Sequence, residues 1–579
     1  MATEAKHLTD LWMSAEMERL RSGPQERAQE LAALQADIER QLLELPVEET
    51  RAPAPPLIPA EFRAHDPRRK QPAIVIVGAG VGGICMAVRL RQAGFTDITI
   101  LEKAQGPGGT WHHNRYPGVA CDVSSYYYCF SFHLNPAWSQ MFAPGEEIRA
   151  YLQNVADAYG ITPLIRFDSE VSSCTYEQDR WRIRLTGGRA LDADILISAV
   201  GFLHVPSLPD MAGLGTFRGK AVHSTQWDPG LDPRGLKIGV VGTGSSAVQI
   251  VSALAGKAES VSVFQRTPQW VFPYPNEHYS EQRKQMLSRY PELTGRLFEF
   301  FAAWYNGEFG TAVVGNRDAQ DIFRAACAAN LEAIEDEELR RKLTPDYPIM
   351  CKRLVFSSTY YRDLQNPSVH LVAEAVGKVV PEGIVTADGT LHELDVLVFA
   401  TGFQTHAFCQ PLNISVAGGP SLENSWKDGA ASFESVAVSG FPNLFVLGGP
   451  YSTVGNLSTM SCTELQTAYI MRLINALEDS GADTVVPRAE AQQRFIAEMQ
   501  SHARDTIWLS GCKSWYLDAN GTVTIWTRTP QEFRERMLGG PDLSDFAFLP
   551  SPKSRDRDPR TGDSPGAGRG LSVSTSRRG

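Results

Sequence analysis

Gly78, Gly80 and Gly83 stand where backbone amides could receive a pyrophosphate. They occur as Gly78-Ala79-Gly80-Val81-Gly82-Gly83, directly after the apolar β-formers Ile74-Val75-Ile76-Val77 and before an apolar helical pattern, Ile84 to Leu90, that closes at Gly94. That order permits a tight turn at Gly78, backbone approach to a pyrophosphate at Gly80, and close helix-on-strand packing at Gly83. The phosphates would then face the positive end of the helix dipole. A second strand, Ile98–Leu101, ends in Glu102, nineteen residues past Gly83, where a carboxylate accepts hydrogen bonds from ribose hydroxyls. The stretch therefore reads as a dinucleotide-binding unit. A glycine-rich loop in an ordinary turn is the plainer alternative.

The pattern recurs. Ile238-Gly239-Val240-Val241 runs into Gly242-Thr243-Gly244-Ser245-Ser246-Ala247, followed by a helix and the strand Ser260–Phe264. This strand ends differently, in Gln265-Arg266-Thr267. The ribose-reading carboxylate is missing and a cation stands in its place, which suits a 2′-phosphate and hence NADPH. Two nucleotide sites of opposite polarity imply FAD on the first and NADPH on the second. For Arg266 a solvated surface charge is the competing reading.

Between the units lies a loop, Gly108 to Asp122, with little periodicity but with Thr110, Trp111, Arg115, Tyr116 and a Pro117-Gly118 turn. Such residues on a loop beside a cofactor point to function. Tyr126, Tyr127, Tyr128 and Phe130 continue an aromatic wall, although any one of them alone reads as packing. Farther on, Lys352-Arg353 sits where strand character resumes, and could hold a phosphate or steady an anion; taken alone it would be surface charge.

A chain of 579 residues exceeds one ordinary hydrophobic core, so at least two domains are expected. A formal charge of −11 gives no basic footprint for nucleic acid. No apolar run approaches the roughly 20 residues of a membrane helix, and the polar start, Met1-Ala2-Thr3-Glu4, does not read as a secretory signal. A soluble, cytoplasmic protein is expected. The nine cysteines are scattered without a CxxC pair, which argues against zinc, a metal site or a thiol–disulfide centre and favours reduced thiols.

The fold expected is α/β, with two Rossmann-like dinucleotide-binding domains, a helical insertion and an N-terminal helical extension. Leu31, Leu34, Ile38, Leu42 and Leu45 recur at spacings of three and four, predicting an amphipathic helix over Pro24–Leu45. Its apolar stripe would pack on the main body or on a dimer partner. Pro46–Pro59 reads as a linker, closing an extension over 1–70. The FAD-binding domain is expected at 71–201 and 397–550, the NADPH-binding domain at 202–273 and 346–396, and helices over 274–345. Val369–Val372, Lys378–Val380, Gly383–Thr386 and Leu391 onward read as a small meander with its turn at Asp388-Gly389. Residues 551–579, nearly devoid of apolar side chains, are expected to be disordered.

Together these motifs resemble the type I Baeyer–Villiger monooxygenases, single-chain flavoproteins that insert oxygen beside a ketone carbonyl. The family fingerprint FxGxxxHxxxW followed by Pro or Asp is matched by Phe217, Gly219, His223, Trp227 and Asp228. A second pattern is matched by Gly108, Gly109, Trp111, Tyr116, Pro117, Gly118 and Asp122. The resemblance covers residues 72 to about 535. The N-terminal helix and the ending Cys512-Lys513-Ser514-Trp515-Tyr516 are similar to the 4-hydroxyacetophenone monooxygenase branch. The resemblance implies that NADPH reduces FAD and that a flavin C4a-peroxide attacks a ketone to give an ester or lactone. It sets Arg353 at the catalytic arginine and Asp122 at the carboxylate paired with it. Lys352, Arg266 and Thr267 fall on the 2′-phosphate positions, and Trp515 on the tryptophan of a mobile segment closing on NADP. His223 takes a hinge position with a structural or gating role. Partners would be a ketone and O2, in a monomer or homodimer.

Two other readings compete. A flavin monooxygenase acting on nitrogen or sulfur shares the fold, but lacks the Trp-Asp ending and the counterpart of Arg353. A non-oxygenating sensor or partner module that binds both nucleotides would not need Asp122 and Arg353. A disulfide reductase is disfavoured by the absence of CxxC and CxxxxC pairs.

Overall fold

Two five-stranded, wholly parallel sheets carry the two nucleotide-binding patterns. The computed structural model describes residues 2–22, 26–45, 63–452, 455 and 457–550. In the first sheet the order is Leu444–Val446, Ile195–Ser198, Ile74–Val77, Ile98–Leu101 and Ile165–Arg166. Its central strands are continuous apolar runs, as a sheet covered on both faces requires.

Helix Val81–Gln92 rises from the central strand, and its placement depends on a missing side chain. A Cβ at Gly83 would lie 1.9 Å from the Gly78 carbonyl oxygen, so helix and turn could not keep their contact with any larger residue there. Gly83→Ala is expected to cost about 1–3 kcal/mol through overpacking and to weaken flavin retention. Thermal unfolding and flavin content of the purified variant measure both.

The second sheet has the order Val369–Val372, Ser260–Phe264, Lys237–Val241, Val396–Phe399 and Lys220–His223. Two expectations are corrected here. Val369–Val372 is not part of a meander but the edge strand of this sheet, paired parallel to Val261–Phe264. It follows the short helix Tyr360–Leu364, so its partner is distant in sequence and adjacency misleads. Val396–Phe399 pairs with both Lys237–Val241 and Lys220–His223, so a boundary at 396/397 would cut a strand and the second sheet runs to Phe399. The true meander is antiparallel and comprises Val376–Val380, Gly383–Thr386 and Leu391–Glu393. A third layer, Val171–Glu177, Arg180–Leu185 and Ala190–Ala193, is joined by Ile414–Val416.

The insertion is helical, with Glu281–Arg289, Pro291–Trp304, Arg317–Leu331 and Glu337–Leu343. A π-turn over Tyr305–Phe309 interrupts it, and the strand pair Val271–Phe272 with Val355–Phe356 closes its base. No helix among the described residues is long and apolar enough to cross a membrane.

At the N-terminus two helices stand where one was expected, Ala2–Ser22 and Glu26–Glu44. Ile38 and Leu42 of the expected stripe are buried while Leu34 is 48% exposed, because the stripe meets the insertion of its own chain along part of its width. Tyr290 donates a hydrogen bond to the Leu42 carbonyl at 2.7 Å. Beneath lies a buried ionic knot. Glu16 accepts from Arg283 at 2.9 Å, Arg19 at 3.2 Å and Gln35 at 2.7 Å, and Arg19 also pairs with Glu277. The Arg283 guanidinium stacks over Tyr279 and Trp12 at 4.3 and 4.8 Å. The expected linker Pro46–Pro59 and the expected disordered tail 551–579 lie outside the described residues.

Reduced thiols were expected throughout, and this too is corrected. Cys351 and Cys512 form a disulfide across 161 residues, while the other seven cysteines are buried and outside any disulfide. Sequence spacing cannot register two cysteines that tertiary folding alone brings together.

Candidate active site

One cavity of about 440 Å³ runs between the two sheets. Gly78, Gly80, Glu102, Thr110, Trp111, Asp122 and Tyr128 reach it from the first unit, Ser245 and Ser246 from the second, with Arg353 and Trp515 closing the wall. Gly80 faces Gly109 at the cavity wall, where a Cβ would make only ordinary van der Waals contact, 3.4 Å from the Gly109 Cα. Glu102 is buried at the end of its strand. Its two oxygens accept from the Ala79 and Ala104 amides, each at 2.8 Å, which fixes the carboxylate at the cavity wall and leaves lone pairs for further donors.

Arg353 and Asp122, 231 residues apart, meet as a two-pronged pair. Arg353 Nε donates to Asp122 Oδ2 at 3.0 Å and Nη2 to Oδ1 at 2.5 Å. Burial alone would lower the arginine pKa, but Asp122 more than offsets it and the net direction is upward. The guanidinium is thus a permanent cation in a partly shielded cavity. Two tyrosines steady the pair. Tyr516 is buried beside Arg353, and burial pushes its phenol up to about 12, an effect the nearby guanidinium opposes. Tyr305, on the π-turn, donates to the Asp122 carbonyl at 3.3 Å and accepts from the Ser124 amide at 3.1 Å.

The loop carrying Asp122 is fastened to the second unit. Tyr116 donates to Gln249 at 2.9 Å and accepts from Ser246 at 3.1 Å, and Gln249 donates to the Ala120 carbonyl at 3.0 Å. A Cβ on Gly118 would lie 2.6 Å from the Gln249 carbonyl oxygen. Trp111 donates to the Tyr128 hydroxyl at 3.2 Å, with the rings edge to face, so the aromatic wall is rigid.

Lys352 and Arg266 form a cationic cluster at the edge of the second unit. Burial first, and then the neighbouring Arg266, lower the Lys352 pKa. Its ammonium lies 4.4 Å above the Tyr347 ring. Two cations held side by side gain most when an anion joins them.

The profile described as pyridine nucleotide-disulphide oxidoreductase matches residues 75–291. An uncharacterized monooxygenase of Mycobacterium tuberculosis is 41% identical over 463 residues, covering 80% of this chain and 93% of its own length. A Baeyer-Villiger monooxygenase of Streptomyces coelicolor is 39% identical over 498 residues, or 84% of this chain and 95% of its own. The chain belongs to the Baeyer–Villiger monooxygenase family. Solved structures agree in fold. The closed crystal structure of cyclohexanone monooxygenase superposes with a TM-score of 0.75 at 28% identity, over 83% of this chain and 99% of that one. OTEMO in complex with FAD and NADP gives a TM-score of 0.74 at 27% identity, over 83% and 100%.

In this Baeyer–Villiger monooxygenase the residues singled out from sequence divide into three groups. The eleven placed on the wall above line the cavity. Gly83 and Gly242 instead underlie the starts of the two helices, where a Cβ would strike the Gly78 and Ala400 carbonyl oxygens. Gly244, Arg266, Thr267 and Lys352 stand outside the wall, toward the end of the second sheet. His223 of the fingerprint is buried away from the cavity, its Nε2 3.0 Å from the Gly402 carbonyl and its Nδ1 2.9 Å from Thr225. It therefore joins the ends of two strands of the second sheet. Sequence reading missed Tyr116 as a bridge, Gln249, Tyr305 and Tyr516. Tyr116, matched by the second family pattern, and Tyr516, next to Trp515, had signals that could have found them; Gln249 and Tyr305 had none.

Proposed function

We propose that this enzyme uses NADPH and O2 to convert ketones to esters or lactones, with FAD along Gly78–Asp122 and NADPH along Gly242–Thr267. The FAD-binding domain would comprise 71–201 and 400–550, and the NADPH-binding domain 202–273 and 346–399. The residues fit the groups. Gly78 and Gly80 line the cavity at the turn where a pyrophosphate would lie, and Glu102 ends the first unit where a ribose would lie. Arg266 and Lys352 end the second where a 2′-phosphate would lie. When bound, FAD supplies hydride acceptance from NADPH and activation of O2.

The observation that carries the reading is the Arg353–Asp122 pair on the wall between the two units. Arg353 provides a fixed positive charge where negative charge gathers on oxygen, and Asp122 sets the plane of the guanidinium. Trp111, Tyr128 and Trp515 narrow the cavity and keep water out. Substrate exchange with a disulfide has no support, since neither Cys351 nor Cys512 lines the cavity. A ketone panel with product analysis by mass tests the proposal: added ketone should speed NADPH consumption and gain one oxygen atom. NADPH use that ignores every ketone while an amine or sulfide gains oxygen would favour the heteroatom reading.

A second test concerns the nucleotide. Arg266→Ala is expected to raise KM for NADPH by about 10–100-fold, the loss of one charge-assisted phosphate contact, with little change for NADH. Equal losses with both would remove Arg266 from the phosphate site.

A further inference from the structure

Two connections tie the segment Cys512–Tyr516 to the loop Cys351–Arg353. One is the disulfide, with Cα atoms 6.4 Å apart. The other is the buried Tyr516 side chain, close enough to Arg353 for the guanidinium charge to act on its phenol. Between these anchors sits Trp515, which lines the cavity and stacks on Phe202 at 6.1 Å. The two sulfurs differ in access: Cys351 is wholly buried and Cys512 is half-buried. That asymmetry suits an attacking thiol and a resolving partner. Lys352, Arg353 and Lys513 adjoin the pair in sequence, a cationic setting that favours thiolate. The ketone chemistry leaves both cysteines unused.

We propose that Cys351 and Cys512 are a peroxide-sensitive redox site that fastens the Trp515 segment over the nucleotide cavity when oxidised and releases it when reduced. The inference rests on the reading that NADP(H) lies against Trp515. The oxidant is hydrogen peroxide, which a flavin-dependent oxygenase discharges when oxygen is activated without a substrate to receive it. The Cys512 thiolate attacks one peroxide oxygen; the O–O bond breaks, hydroxide leaves and takes up a proton, and a sulfenic acid remains. The Cys351 thiol then attacks that sulfur; the S–S bond forms, the S–O bond breaks and water leaves. Two thiols are oxidised and one peroxide is reduced to two waters. A dithiol reductant reverses the step. With the clasp shut, Trp515 is tethered on both sides and nucleotide exchange slows, so wasteful turnover restrains itself.

The test uses FAD-loaded enzyme purified under reductant. After brief hydrogen peroxide treatment, digestion without reductant should yield a peptide joining Cys351 to Cys512, lighter by two hydrogens. NADP⁺ release followed by stopped flow should slow by about fivefold, as expected where opening of a closed segment limits turnover, and dithiothreitol should restore it. Cys512→Ser, at a partly exposed position, should form no such peptide, and peroxide should leave its release rate unchanged. Absence of the linked peptide, a linked enzyme releasing NADP⁺ at the reduced rate, or equal slowing in Cys512→Ser would each overturn the proposal. Failure of the underlying cofactor reading shows itself earlier, as reduced enzyme that never binds NADP⁺ before any peroxide is added.

Discussion

Arg353→Ala is expected to keep its flavin and to lose ester formation by at least about 10²–10³-fold, the scale for removing one preorganised electrostatic partner from an oxygen-centred transition state. The flavin should stay because Gly78, Gly80 and Glu102, which would hold it, do not touch Arg353. Ester formation should go because Arg353 is the cation that reaches the wall between the units beside Asp122. Arg353→Lys separates charge from shape: an ammonium keeps the charge but cannot make the two-pronged contact with Asp122. Its activity should fall between wild type and alanine. Product quantified by mass, alongside the absorbance spectrum of bound flavin, decides the matter, and near-normal ester from the alanine variant would refute the assignment.

Glu16→Ala is expected to lower stability by about 3–5 kcal/mol, the cost of leaving buried charge without its partner. Arg283 and Arg19 would then face one another amid Trp12 and Tyr279 with no carboxylate between them. The same group predicts an acid dependence. Burial alone would raise the Glu16 pKa, yet Arg283 and Arg19 bring it down from 4.5 to about 2. A carboxyl lowered in the folded state stabilises fully above its unfolded pKa and loses that contribution as pH falls from about 4.5 toward 2. At about 1.4 kcal/mol per unit this amounts to roughly 3 kcal/mol. Wild type should lose thermal stability over that window by more than Glu16→Ala does. Parallel decline of the two proteins, followed by scanning calorimetry, would show that the knot is not the cause.

What the sequence could reveal follows the range of each interaction. The turn at Gly78 and the packing of Gly83 are local, fixed by strand, loop and helix within a few residues, and both were legible. Arg353 was not legible from its surroundings, since Lys352-Arg353 alone looks like surface charge; the family pattern singled it out, and its partner lies 231 positions away. Tyr305 left no trace at all, because a π-turn hydroxyl that touches a backbone carbonyl obeys no period. The first helix escaped notice for a different reason. Its inward stripe, Ala5, Thr9, Trp12, Glu16 and Arg19, keeps helical spacing, but buries charge where a hydrophobic pattern is sought. The disulfide contradicted a rule about spacing, since that rule counts neighbours along the chain and not across it.

Tyr116 shares one hydroxyl between Ser246 and Gln249, and Gly118 rests on the backbone of the same helix. Residues 116–120 thus travel with the far sheet, while Asp122, two positions on, is anchored to the insertion through Tyr305. A swing of one sheet against the other reaches the carboxylate through a lever only two peptide units long. The alignment of carboxylate and guanidinium therefore serves as a gauge of how the halves of the molecule are seated.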